Sequence, residues 1–122
     1  MRINKFFKTE SGKLANLVRT NYEKLKYFID ETTHILNKIY DIKNNLDDDE
    51  NVKIFNETIY ILREMIFELK KYNKINYSCI LMLNTFYYKI QFIFKIIDCL
   101  EIKTDLLYLM LNVYYLFNEK ER

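Results

Sequence analysis

Apolar positions recur along this chain in steps of three and four, the signature of helices with one buried stripe. In the first segment Leu14, Val18, Asn21, Leu25, Phe28, Thr32, Ile35, Ile39, Ile42 and Leu46 alternate those steps, and eight of the ten are apolar. This predicts a long helix over 11–46, roughly 50 Å from end to end, with Ser11 or Thr9 as its N-cap. Leu17, Ile29 and Leu36 widen the stripe beyond a two-stranded seam, so it suits a multi-helix bundle. The rhythm breaks at Asn44-Asn45 and the acidic run Asp47-Asp48-Asp49-Glu50, which would cap the next helix and complement its dipole. That run lacks the alternating ligands and glycine of a calcium loop.

A second helix over 50–72 follows from Val52, Phe55, Ile59, Leu62, Ile66 and Leu69. Tyr72 to Tyr77 connects it to the third, with Asn73 and Asn76 suited to a left-handed helix end and Ser78 to a new N-cap. The third segment, expected as a helix over 77–99, has seven polar residues between Tyr77 and Leu100 and no clean hydrophilic side. A helix apolar all round is buried all round. A membrane span competes, but Asn84, Lys89 and Gln91 interrupt it and make membrane insertion the weaker reading. Thr104 and Asp105 would start a fourth helix over 104–118. The expected architecture is all-α, an antiparallel bundle of about four helices in one domain spanning 1–122, with one long N-terminal helix.

Composition sharpens this. With no Pro and one Gly, turn-dense β folds and Gly-rich phosphate loops are excluded. Asn, Ile, Lys, Tyr and Phe make up more than half of the chain, a bias typical of AT-rich coding sequence. Cys79 and Cys99 lack metal spacing, and the one His cannot complete a zinc site with them. Reduced, buried thiols and an intracellular, cytoplasmic setting are expected, or host cytoplasm for a viral chain. Phe6-Phe7 is too short for a signal-peptide core, so secretion is not expected. His34 has neither nucleophile nor base in a recognisable pattern beside it, so no catalysis and no cofactor are expected.

Two groupings remain as candidates for function. Ten aromatic rings lie between residues 75 and 117, where charges are sparse. A small domain cannot easily hide two helices apolar on most sides, and aromatic, charge-poor surface is what interface centres contain. Tyr87, Tyr88, Phe92, Phe94, Tyr108, Tyr114, Tyr115 and Phe117 are therefore candidates for binding a protein partner or a second copy, as in a non-catalytic subunit or adaptor of a larger assembly. The second grouping is the basic start. Residues 1–26 sum to +5 and residues 27–51 to −5, the reverse of what a helix dipole favours. Lys13, Arg19, Lys24 and Lys26 are candidates for nucleic-acid backbone contacts, with nearby rings to stack on bases. Tyr60-Ile61-Leu62-Arg63 and the stretch Leu109 to Phe117 resemble the small helical subunit of type III CRISPR effector complexes, a likeness that implies a nucleic-acid-associated role. It covers two short helical stretches and lacks the Gly-Arg pair that family tends to show after its second helix. A small viral or parasite regulator of a host protein is a third reading.

Overall fold

The first described helix, α1 (Asn21–Lys43), packs against α2 (Asp49–Leu69), which packs against α3 (Tyr77–Ile96) and then α4 (Leu100–Phe117). This computed structural model describes residues 21–117. α4 returns to α1, so the four helices close a square, and the backbones of the diagonal pairs do not approach closely. Short connections make neighbours antiparallel. Over the described residues the helices span 23, 21, 20 and 18 residues, and α1 is not notably longer than the rest. The predicted residues 11–20 of the first helix lie outside the described residues.

α1 buries Leu25, Phe28, Ile29, Thr32, Ile35, Leu36 and Ile39, the stripe that its spacing predicts. Thr32 belongs in that stripe because its hydroxyl donates to the Phe28 carbonyl at 2.8 Å, and Thr58 does the same to Ile54 at 2.9 Å. Each buried hydroxyl is thereby satisfied without a partner from another helix. Leu62, Met65 and Leu69 of α2, Leu83 and Ile90 of α3, and Leu106 and Val113 of α4 join one continuous core. Ile75 and Ile97, from the connections at opposite ends, are almost wholly buried in it.

Helix ends differ from the expected ones by a few residues, for local reasons. α1 stops at Lys43 because Asn45 N–H and Leu46 N–H donate to carbonyls only three residues back, tightening the turn. α2 ends at Leu69 in the same way, through Lys71 and Tyr72. No described residue has a positive φ, so the Asn residues do not end a helix in the left-handed region. Asn76 instead caps α3, its side chain accepting from Cys79 N–H at 2.9 Å, while Ser78 lies within the first turn. The acidic run behaves as expected at α2: Asp48 is the N-cap, accepting from Glu50 N–H at 3.1 Å. α3 ends at Ile96, where extended Ile97 turns its side chain into the core. α4 starts at Leu100, not at Thr104, whose hydroxyl donates back to the Leu100 carbonyl at 3.0 Å from inside the helix.

The α1–α4 side of the square is the most sparsely packed and carries polar links. Lys38 Nζ lies 3.0 Å from Asp105 Oδ2 and 3.4 Å from Glu101 Oε2. Its hydrogen bond to Asp105 is the largest influence raising the lysine pKa. Further along, Tyr27 is held above its ordinary pKa chiefly by the charge of Glu31, and also by a hydrogen bond with Tyr108. Among the described residues no helix is long and apolar enough to cross a membrane.

Candidate protein-binding surface

α3 overturns the expectation of burial on every side. Its buried residues Cys79, Leu83, Phe86, Ile90 and Ile93 form one narrow stripe. A helix in a square of four has two neighbours, which cover the inner part of its circumference and leave the rest to solvent. Tyr77, Leu81, Tyr88, Phe92 and Ile96 are accordingly exposed. α4 repeats the pattern with Leu100, Leu107, Tyr108, Leu111, Tyr114 and Tyr115. Of fifteen large apolar side chains exposed among the described residues, eleven are on α3 and α4 and four on α1 and α2.

The eight predicted interface residues do not form a single patch. Tyr87, Phe94 and Tyr114 meet in an open groove of about 470 Å³ between α3 and α4, where Gln91, Leu107, Met110 and Leu111 complete the walls. Tyr88 and Phe92 face a second groove of about 430 Å³ between α2 and α3, beside Tyr60, Ile61 and the charged Glu57 and Lys89. Tyr108 sits beside Tyr27 of α1, close enough to help raise that phenol's pKa. Tyr115 stands edge-on to Tyr114, with ring centroids 6.2 Å apart, and Phe117 is half-buried against the core. Tyr87 and Tyr88 make a similar edge-on pair at 5.6 Å, linking the rims of the two grooves. Leu107 and Leu111 were not among the predicted residues, since the expectation counted rings. Their place in the alternation of four and three that runs through Leu100, Thr104 and Tyr114 was the available signal.

Charge is thin on the α3–α4 groove. Lys95 is the one ionisable cation among its lining residues, and no carboxylate lines it. Lys103 stands at its edge over the Phe94 ring, 4.7 Å from the centroid, and donates to the Phe94 carbonyl. The polar groups of this groove are thus Lys95, the Gln91 amide and the hydroxyls of Tyr87 and Tyr114.

The predicted nucleic-acid residues are placed in part. Lys13 and Arg19 lie outside the described residues. Lys24 is half-buried on α1, and Lys26 is exposed with its ammonium 5.8 Å from the Tyr22 centroid. α1 holds four lysines and four carboxylates, so its described length carries no net charge. His34 is exposed on the same helix, and Cys79 is fully buried, which pushes its thiol pKa up to about 11. Among the described residues no three His, Cys, Asp or Glu side chains gather as a metal site requires. No family model matches this chain, and neither does any curated protein or solved structure.

Proposed function

We propose that this chain is a non-catalytic helical subunit or adaptor that binds a protein partner through the outer surface of α3 and α4. The observation that carries the reading is the segregation of eleven of fifteen exposed large apolar side chains onto those two helices. An ordinary surface can display tyrosines whose hydroxyls reach water. Leu81, Phe92, Leu100, Leu107 and Leu111 have no polar tip, and each, already partly covered, gains on the order of 1–2 kcal/mol from burial of its exposed part. Apolar surface concentrated on two helices in this way is what partner-binding sites present.

The test uses the full chain purified with whatever associates with it in the cells that make it, compared with Tyr87→Glu and Tyr115→Glu. Loss of association, with unchanged helical content, is the expected result. If both variants keep every association, the interface lies elsewhere and the reading fails. A strand-binding role for the basic start has no supporting observation among the described residues.

A further inference from the structure

Beside its buried seam each of α3 and α4 carries a second one; on α3 it is only half-covered and includes two amides. One residue after Cys79, Leu83, Phe86, Ile90 and Ile93 stand Ile80, Asn84, Tyr87, Gln91 and Phe94, with the same alternation of four and three. On α4, Leu107, Leu111 and Tyr114 follow the buried Leu106, Met110 and Val113 by one residue, and continue the rhythm from Leu100 and Thr104. A single residue turns a helix face by about 100°. That is close to the right angle separating the two inward diagonals of a helix shared by two squares set side by side. Because α3 and α4 are antiparallel, the same step turns both outer seams to one side of the pair. They meet there, as the groove lined by Tyr87, Gln91, Phe94, Leu107, Leu111 and Tyr114.

Resting on the interface reading above, we propose that this outer face packs against the same face of a second copy across a two-fold axis. α3 and α4 of both copies then build a second four-helix core beside the first. Three features favour a copy of the chain over a different protein. The groove lining has one lysine and no carboxylate, so it offers little charge to steer an unlike partner and little to repel its own kind. Homodimer interfaces are the more apolar, charge-depleted class. Asn84 and Gln91 carry amides that both donate and accept, so across a two-fold axis each is a fit partner for its mate. The area also suffices. Leu100, Leu107, Leu111 and Tyr114 are 80%, 46%, 51% and 60% exposed. Together they hold on the order of 450 Å² of apolar surface, about the apolar share that one partner contributes to a standard interface.

Light scattering behind a sizing column, with the full chain loaded from micromolar to hundreds of micromolar, reads the outcome directly. The expected species has twice the 15.1 kDa chain mass at the upper concentrations. Leu107→Asp and Leu111→Asp, each at an exposed position, should return the mass to 15.1 kDa and weaken pairing about a hundredfold or more, with circular dichroism unchanged. Tyr60→Asp, in the other groove, should leave the pair intact. A wild-type chain that stays at 15.1 kDa throughout overturns the proposal, as does a pair broken by Tyr60→Asp and indifferent to both leucine substitutions. A monomeric wild type removes the second copy only; the interface reading falls if Tyr87→Glu and Tyr115→Glu leave every association of the chain intact.

Discussion

Leu83 and Leu81 sit two residues apart on α3 and experience opposite environments: Leu83 is fully buried, while Leu81 is 50% exposed. Replacing each with Ala removes the same atoms, so the difference in cost measures how one-sided the helix is. At Leu83 the lost transfer energy is joined by the cavity left among core side chains, for about 3 kcal/mol in total. At Leu81 no cavity forms, half of the lost contact is already with water, and Ala is the better helix former, so the cost stays below about 1 kcal/mol. For a chain of this size the first substitution corresponds to a fall of about 15 °C in Tm and the second to a few degrees at most. Urea unfolding followed by circular dichroism, at a dilution where association does not contribute, gives both values from the midpoint at constant slope. Equal losses at the two sites would mean that α3 is enclosed all round, and would refute the description of its outer side as free surface.

Helix caps offer a cleaner local test. Asn76→Ala should cost about 1 kcal/mol because it removes the acceptor for Cys79 N–H, whereas Ser78→Ala should be near neutral. Across the α1–α4 side, Lys38→Ala strands the largely buried Asp105 carboxylate. It should destabilise more than the double variant Lys38→Ala with Asp105→Asn, with a salt-sensitive coupling of about 1 kcal/mol in a mutant cycle. Alkaline pH should weaken the fold. The buried Cys79 thiol keeps its proton up to about pH 11, while the unfolded thiol ionises near its ordinary value, so its contribution is complete below pH 9. It is lost as pH rises through the folded value, to a limit of about 3 kcal/mol. The raised pKa values of Tyr27 and Lys38 act in the same direction. Stability measured against pH for Cys79→Ala should therefore show a shallower alkaline decline, and an unchanged decline would exclude the thiol as its source.

The helical class and four-helix count were legible because buried stripes repeat every three or four residues whatever the neighbours are. Leu25, Phe28, Ile35 and Ile39 of α1 are buried where spacing placed them. Asp48 was legible as part of a capping run, since local side-chain to backbone bonds need no tertiary information. Helix ends were less so: Thr104 serves as well bonded back to Leu100 inside α4 as it would at a cap. The main miss was α3. A run of apolar residues states what a helix would favour, and the number of neighbours decides what it obtains. Two neighbours cannot cover Cys79, Tyr87, Tyr88 and Phe92 at once, because these point in widely separated directions around the axis. The candidate surface was legible in its aromatic content and not in its partition. Only the packing separates Tyr88 and Phe92, facing α2, from Tyr87 and Phe94, which meet Tyr114 of α4, and sets Tyr108 beside Tyr27.

Hydroxyl-radical footprinting of the full chain, read by mass spectrometry across a dilution series, addresses the central claim that α3 and α4 carry an outer apolar face the chain does not cover itself. At high dilution Leu81, Phe92, Leu107, Leu111 and Tyr114 should be labelled strongly while Leu83, Ile90, Leu106 and Val113 stay protected. Leu107, Leu111 and Tyr114 should then become protected as concentration rises. Outer residues protected as fully as inner ones at every dilution would contradict the account, since the chain would then be burying that face within itself.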